Sequence, residues 1–169
     1  METERLALMP ISLNWKNDVF REFNADITKY LMGKPAQSIS ETEDFIAACI
    51  DELQNGEACT FVITKKTNNE FLGCTDIQNL KTNAPEIGIW IKKSAHGNKF
   101  GFEALTALKQ WADIFLDYEH LVYPVDRDNT PSKKIAESLG GKVQKEYDKE
   151  NLLGNTLHAL EYWIFPSKK

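Results

Sequence analysis

The segment that decides the fold of this chain comprises residues 86–105, which read EIGIWIKKSAHGNKFGFEAL. Its first part is rich in Ile and Trp and follows Pro85, a composition typical of a β-strand. From Gly101 onward, apolar residues recur at helical spacing through Leu105 to Phe115. The segment therefore predicts a strand, a short loop and a helix.

The loop between the predicted strand and helix contains two glycines, Gly97 and Gly101, and two basic groups, His96 and Lys99. The first turn of a helix leaves several backbone N–H groups without intrahelical partners. The helix dipole adds partial positive charge at the same end, so such a loop favours a phosphate group. Because many strand–loop–helix units bind no ligand and two glycines are a weak signal, the segment alone leaves open both a ligand site and a purely structural loop.

The flanking sequence alternates between strand-like and helix-like patterns. Strand composition predicts further strands at residues 6–9, 60–64, 71–77, 120–125, 143–147 and 157–165. Helical spacing of apolar residues predicts helices over residues 14–24, 40–55, 101–118 and 131–139. The resulting order, β-α-α-β-β-β-α-β-α-β-β, predicts a mixed α/β fold, and we expect one domain over residues 1–169.

Local signals predict where three of these elements begin or become irregular. Ser40 and Glu43 match a capping box, with the serine as N-cap. Pro131 suits the first turn of its helix, with Thr130 as the cap. Pro124 indicates that its strand lies at a sheet edge or is irregular at that point, because proline has no N–H to donate.

The composition is that of a globular protein. Hydrophobic residues make up 42% and charged residues 27% of the 169 residues, so the chain is able to bury a substantial core. No apolar run approaches the ~20 residues that a membrane span requires. The first residues lack the basic-then-apolar pattern of a signal peptide, so we expect a cytoplasmic protein.

Cysteine and histidine usage argues against disulfides and metal sites. Cys49, Cys59 and Cys74 are odd in number and have no metal-ligand spacing, so we expect reduced and mostly packed thiols. The three histidines are scattered along the chain, so we expect no metal site.

The charge of the chain is unevenly distributed. The net charge is −5, which argues against general nucleic-acid binding. Residues 1–57 hold 11 acidic against 5 basic side chains, whereas residues 58–169 hold 14 against 15. The acidic N-terminal third favours either a cationic ligand or a simple solvated face.

Four segments, in this order and at this spacing, resemble one family. They are residues 4–8, the strand at 86–91, the loop and helix start at 96–105, and residues 128–132 followed by 139–141. Together they resemble the GNAT N-acetyltransferase superfamily, and most closely its subgroup of ribosomal-protein N-terminal (serine/alanine) acetyltransferases. The resemblance covers nearly the whole chain. It implies a mostly antiparallel, twisted sheet of about seven strands, splayed into a V at the acetyl-CoA site and flanked by about four helices.

The resemblance also implies an activity. Acetyl-CoA is the expected cosubstrate, and a primary amine attacks its thioester directly in a ternary complex, without an acyl-enzyme. A protein N-terminus is the acceptor that the subgroup implies; a polyamine, an amino acid analogue or an antibiotic stays open, because the fold serves many acceptors. A non-catalytic acyl-CoA-binding module is the alternative of another class. We expect no nucleic-acid or membrane partner, and both a monomer and a homodimer stay open.

The same resemblance implies site residues. Glu86 is the candidate general base, with Glu146 and Glu150 in reserve; a substrate anchor and a surface strand residue stay open for Glu86. Ser132 is the candidate proton donor to the departing thiolate, and a contact to the pantetheine arm and a plain first-turn helix serine stay open for it. A backbone N–H near Trp90 to Lys92 is expected to stabilise the thioester oxygen. The implied cofactor-binding residues are Ile89, Trp90, Ile91, His96, Gly97, Asn98, Lys99, Phe100, Gly101, Phe102, Asn129 and Ser132.

Several positions depart from the family pattern. His96 stands where Arg or Gln is usual, and Lys99 stands where the middle Gly is usual. We expect Lys99 to be tolerated if its φ is negative. Ala136 replaces the Tyr that many relatives use as general acid, so that acid is absent, and Gly141 replaces the usual Phe.

Overall fold

The computed structural model describes residues 1–167. Its strands are, in chain order, β1 Leu6–Pro10, β2 Cys59–Lys65, β3 Phe71–Gln78, β4 Glu86–Ile91, β5 Leu121–Asp126, β6 Lys142–Glu150 and β7 Thr156–Ile164. Its α-helices are α1 Lys16–Glu22, α2 Ala25–Thr28, α3 Ile39–Gln54, α4 Phe100–Phe115 and α5 Thr130–Ser138. Short 3-10 turns at Leu13–Trp15 and Lys93–Ala95 precede α1 and α4. The single-turn helix α2 is an element that the helical patterns do not predict.

The seven strands form one sheet with the order β1-β2-β3-β4-β5-β7-β6. Neighbouring strands are antiparallel except β4 and β5, which run parallel. In the described chain these two strands pair at Glu86 and Val122 and then separate. The sheet is therefore open in its middle, which confirms the predicted mixed α/β fold with a splayed, mostly antiparallel sheet.

Pro124 lies at the point where β4 and β5 separate. The Val122 N–H donates to the Pro85 carbonyl at 2.8 Å, so this residue faces β4. Alternate residues of a strand face the same neighbour, and the nitrogen of Pro124 therefore also faces β4 but has no hydrogen to donate. The predicted irregularity at Pro124 is confirmed. The alternative, a sheet edge, is wrong, because β5 lies between β4 and β7.

The sheet buries apolar side chains on both faces. Helices α4 and α5 cover one face over the larger core, which includes Leu6, Ile63, Ile87, Leu105, Leu108, Tyr123, Ala136 and Ile164. Helices α1 and α3 cover the other face over a smaller core of Ile11, Val19, Ile46, Cys49, Val62, Phe71 and Cys74. The three cysteines are buried free thiols, as expected. Among residues 1–167, no helix is long and apolar enough to cross a membrane.

Two helices have caps other than those predicted. Ser38 Oγ accepts a hydrogen bond from the Glu41 N–H at 3.3 Å, so the N-cap of α3 is Ser38 and not Ser40. The Ser-x-x-Glu spacing occurs twice in overlapping positions, and the helix uses the earlier copy. Asn129 caps α5 by accepting a hydrogen bond at 3.3 Å from the N–H three residues on, so the predicted cap, Thr130, is instead the first helical residue.

Candidate active site

The opening between β4 and β5 adjoins a cleft of about 630 Å³ on the sheet face that α1 and α3 cover. Its walls come from these helices, the segment between α2 and α3, and the β6–β7 hairpin. Among the described residues, its charged side chains are five carboxylates and two lysines: Glu41, Glu52, Asp76, Glu86, Asp126, Lys34 and Lys149. The cleft therefore carries net negative charge, which attracts cations.

Strand pairing brings two of these carboxylates onto the floor of the cleft. Asp76 of β3 lies opposite Gly88 of β4, and Gln78 lies opposite Glu86. Directly paired residues present their side chains on the same face of a sheet, as do alternate residues along a strand. Asp76 and Glu86 therefore share the face that borders the cleft, together with Trp90.

Glu86 lies at the start of β4, where the opening begins. Burial raises the pKa of its carboxyl group above the usual 4.5; Lys149 acts in the opposite direction, and Asp76 and Glu161 raise the pKa further. A carboxylate with a raised pKa is a stronger base than an exposed one. Glu86 thus combines the position and the basicity that a proton acceptor needs.

Asp76 is a candidate that the sequence patterns miss. Burial raises the pKa of its carboxyl group, a hydrogen bond from the Gln78 amide acts in the opposite direction, and Glu52 raises the pKa further. A Cβ on Gly88 would overlap Asp76 Oδ1, so the glycine leaves room for the carboxylate. A glycine inside an apolar strand is a signal of close approach by another group, and it is the feature that could have marked this site.

The two reserve carboxylates face away from the cleft. In β6, Tyr147 and Lys149 line the cleft. Glu146 and Glu150 occupy the alternate positions of the same strand, so their side chains lie on its opposite face. This register removes both residues as substitutes for Glu86.

The loop after β4 places the N-terminus of α4 beside the opening. Lys99 is the N-cap residue, with φ of 62°, and its side chain forms no capping hydrogen bond. The condition stated for Lys99, a negative φ, is therefore not met: the chain enters α4 through the left-handed conformation that a glycine adopts more easily, at a strain of about 1–2 kcal/mol. The Glu103 N–H bonds to the Lys99 carbonyl, so the N–H groups of Phe100, Gly101 and Phe102 have no partner within the helix.

Gly101 allows α4 to lie directly against β4. A Cβ at this position would lie 3.3 Å from Ile135 Cδ1, 3.6 Å from Ile91 Cγ1 and 3.8 Å from Ile89 Cδ1. A methyl group fits with a small adjustment, whereas a larger side chain displaces one of these neighbours. The unpaired N–H groups of the first turn thus lie beside the part of β4 that borders the opening, which suits a diphosphate.

An ion pair between Arg5, the residue before β1, and Glu103 of α4 braces the loop. Glu103 accepts hydrogen bonds from Arg5 Nε at 2.7 Å and from the Arg5 backbone N–H at 3.0 Å, and the Thr3 hydroxyl also donates to it. Arg5 Nη2 donates to the Asn98 carbonyl at 3.1 Å, and the guanidinium lies 4.7 Å from the centre of the Phe100 ring. Burial acts to raise the pKa of Glu103, but the hydrogen bonds from Thr3 and Arg5 outweigh it and hold the pKa below its usual value. This ion pair ties the loop to β1. The positive charge of Arg5 also balances the negative charge of the Glu103 carboxylate in the first turn of α4.

Backbone pairing determines which N–H groups of β4 face the opening. The Lys92 N–H donates to the Leu72 carbonyl at 2.7 Å, so it is committed to the β3 side. Alternate residues direct their peptide groups to opposite neighbours, and Ile89 and Ile91 therefore direct theirs toward β5. Within the expected stretch from Trp90 to Lys92, the residue whose N–H faces the opening is Ile91.

The remaining predicted cofactor residues lie on two sides of the opening. His96 turns its ring back onto the end of β4, with Nε2 2.6 Å from the Ile91 carbonyl oxygen. Trp90 packs its indole 5.1 Å from the Phe23 ring, and both residues line the cleft. The Trp90 side chain thus belongs to the cleft and not to the loop.

Asn129 and Ser132 lie at the start of α5, just after β5. The side-chain oxygen of Asn129 is engaged by the N–H of Ser132 as the helix cap. Burial raises the pKa of Tyr123 to about 12, and a hydrogen bond with the Ser132 side chain partly offsets this rise. The half-buried Ser132 hydroxyl is therefore held next to a buried phenol.

Comparison with known proteins identifies the class. The chain matches the family model described as "Acetyltransferase (GNAT) domain" over residues 5–142. It is 29% identical to the uncharacterized N-acetyltransferase p20 of Bacillus licheniformis over 155 residues, and this aligned region covers 89% of this chain and 83% of that protein. Its structure is similar to that of RimL, a ribosomal alpha-N-protein acetyltransferase in complex with coenzyme A, with a TM-score of 0.86, 19% identity and coverage of 98% and 97%. It is also similar to spermidine N-acetyltransferase from Vibrio cholerae in complex with CoA and spermine, with a TM-score of 0.84, 16% identity and coverage of 98% of both chains.

The two structural similarities, at these identities, show the fold alone. The family model, by contrast, covers most of the chain, and this protein therefore belongs to the GNAT acetyltransferases. As a member of this family it is an N-acetyltransferase with acetyl-CoA as cosubstrate, which confirms the resemblance found in the sequence.

Proposed function

We propose that residues 1–169 act as one domain in the cytoplasm and transfer the acetyl group of acetyl-CoA to a cationic primary amine by direct attack, in a ternary complex without an acyl-enzyme. The observation that carries this proposal is the position of Glu86. Its carboxyl group has a raised pKa and lies where the opening between β4 and β5 meets the acidic cleft. A base at this junction is able to accept a proton from an amine that enters from the cleft. The same amine then attacks a thioester that is held in the opening.

The residues around the opening supply separate parts of the reaction. The first-turn N–H groups at residues 100–102 bind the diphosphate of the cosubstrate. The Ile91 N–H donates to the thioester oxygen, on which negative charge develops during attack. Glu86 accepts the proton of the amine, directly or through a water molecule, and Ser132 donates a proton to the departing thiolate.

The charge of the cleft supports a cationic acceptor. Its carboxylates outnumber its lysines by five to two among the described residues, and Glu41 and Glu52 of the acidic N-terminal third are among them. RimL is a protein N-terminal acetyltransferase and the Vibrio enzyme acetylates spermidine, so a protein N-terminus and a small amine are both candidate acceptors.

Turnover with a panel of amines tests the proposal. We expect CoA release with at least one basic N-terminal peptide or small amine. A basic peptide should react faster than an acidic one at low salt, and the difference should shrink at high salt, since exposed charges are screened over about 8–10 Å. Binding of acetyl-CoA without turnover on any amine would instead support the non-catalytic acyl-CoA-binding module. A preference for the acidic peptide at low salt would show that the acidic residues do not select the acceptor.

A further inference from the structure

A backbone connection between two segments closes part of the cleft wall. Residues 30–36, which follow α2, and the tip of the β6–β7 hairpin both line the cleft. The Leu152 N–H donates to the Met32 carbonyl at 3.1 Å, and Asn151 Nδ2 donates to the Leu31 carbonyl at 3.4 Å. Asn151 is buried, and its side-chain oxygen also accepts two hydrogen bonds within the hairpin turn. The wall is therefore continuous between these segments, which favours a short acceptor over an extended protein chain.

The floor of the cleft presents two carboxylates at a defined spacing. Asp76 pairs with Gly88, and Glu86 lies two residues before Gly88 on the same strand, so the two acids are diagonal neighbours. Diagonal neighbours across two strands lie about 7–8 Å apart, and their β-carbons are somewhat closer than that. In the proposed function Glu86 serves the reacting amine. Asp76 is then placed to bind a second charged group on the same molecule.

The surroundings of Asp76 favour a bound cation. Its hydrogen-bond donor is the neutral amide of Gln78, and it interacts electrostatically with two further carboxylates, Glu52 and Glu86. A carboxylate that is removed from water is stabilised by a hydrogen-bonded positive charge. Gly88 leaves the space in which Asp76 holds its carboxylate at the cleft floor. The site thus has the charge for an ammonium group, and the cleft of about 630 Å³ that Asp76 lines has the room for it.

We propose that the acceptor is a short aliphatic diamine, whose reacting amine lies at Glu86 and whose second ammonium group binds Asp76. This inference rests on the proposed function and narrows its acceptor class. A linker of about four carbons matches the spacing of the two acids. Aromatic side chains suit the methylene linker and attract ammonium groups, and those that line the cleft are Phe20, Phe23, Tyr30, Phe45, Trp90 and Tyr147.

Steady-state kinetics at saturating acetyl-CoA test this inference with the full chain. The probes are 1,4-diaminobutane, n-butylamine, which lacks the second ammonium group, and a basic N-terminal peptide. We expect kcat/KM for the diamine to exceed that for n-butylamine by at least ~10-fold, because the monoamine leaves the Asp76 carboxylate unpaired. Asp76→Asn should lower kcat/KM for the diamine at least ~10-fold more than for n-butylamine, chiefly by raising KM.

Two further variants make the outcome decisive. Asp44→Asn removes the same charge from an exposed position on α3 that does not line the cleft, and the ratio of the two kcat/KM values should stay at its original value. Gly88→Ala should displace the Asp76 carboxylate and reduce the same ratio, which gives a second test if Asp76→Asn folds poorly. Equal rates for diamine and monoamine, or a faster reaction of the peptide, would overturn the diamine inference while the acetyltransferase proposal stands. If none of the three amines is acetylated and no other amine reacts, the proposed function itself fails.

Discussion

Replacement of Glu86 by glutamine tests the proton transfer most directly. The change keeps the size of the side chain and its hydrogen-bonding capacity but removes the base. General base catalysis typically contributes about 10²–10⁴-fold, so kcat at neutral pH should fall by a factor in this range. The affinity for acetyl-CoA should change little, because the cofactor-binding loop and the first turn of α4 do not contain Glu86.

The raised pKa of Glu86 makes the pH dependence informative. In the native enzyme, kcat/KM should rise as Glu86 ionises, at a pH above the usual 4.5 of a glutamate. In Glu86→Gln this limb should disappear, and the deficit should shrink at high pH, where more of the amine is already neutral. Lys149→Met should shift the limb to higher pH, because Lys149 acts to lower the pKa of Glu86.

Stability measurements separate catalysis from folding in the same variant. Because burial raises the pKa of Glu86, the folded state binds this proton more tightly than the unfolded state does. Ionisation of Glu86 therefore reduces stability as the pH rises from its unfolded to its folded pKa, and this loss persists at neutral pH. Glu86→Gln removes the loss, so its melting temperature at neutral pH should equal or exceed that of the native protein.

The assay is CoA release from about pH 4.5 to about pH 10 with the best amine of the panel, combined with calorimetric titration of acetyl-CoA. An equal loss of rate at every pH, accompanied by a raised KM for the amine, would refute the role of Glu86 as base. Glu86 would then be an anchor for the acceptor.

The remaining predictions concern the cofactor loop. Acetyl-CoA should raise the melting temperature of the native protein by mass action. Gly101→Glu should abolish this shift, whereas Gly101→Ala, whose Cβ lies 3.3 Å from its nearest neighbour, should retain it. No shift in the native protein at saturating acetyl-CoA would contradict the proposed cofactor site. Lys99→Gly should increase the free energy of unfolding, measured in urea, by up to about 1 kcal/mol. The reason is that the relief of left-handed backbone strain exceeds the added conformational entropy of the unfolded chain. A decrease would show that the lysine side chain compensates the strain. Arg5→Met and Glu103→Gln should each lower the melting temperature and weaken acetyl-CoA binding. In the double variant the losses in melting temperature and in binding should be smaller than the sums of the single losses. Additive losses would show that this ion pair does not hold the loop.

The general architecture follows from local sequence patterns. Ile-rich β4, the loop after it and the apolar periodicity of α4 indicate their own conformations, because propensity and hydrophobic spacing act over a few residues. Pro124 marks the irregular point of β5 for an equally local reason, the missing N–H. Glu86 is a candidate from the sequence because it lies at the start of the strand on which the family resemblance centres.

Helix caps and loop dihedral angles depend on a choice between local conformations of similar free energy. Ser38 and Ser40 both begin a Ser-x-x-Glu motif, and spacing does not distinguish them. Lys99 adopts a positive φ although lysine disfavours it, because the loop geometry between β4 and α4 requires the turn. In such cases a difference of about 1–2 kcal/mol in local preference is overridden by the packing of the whole chain.

The composition of the cleft floor is decided by the tertiary structure alone. Asp76 meets Glu86 through the register of β3 on β4, and Glu146 faces away while Tyr147 faces the cleft through the register of β6 on β7. A shift of one residue in either register would move each side chain to the opposite face of the sheet. Sequence patterns within one strand specify alternation, but contacts between strands far apart in the chain select which alternate set lines the cleft.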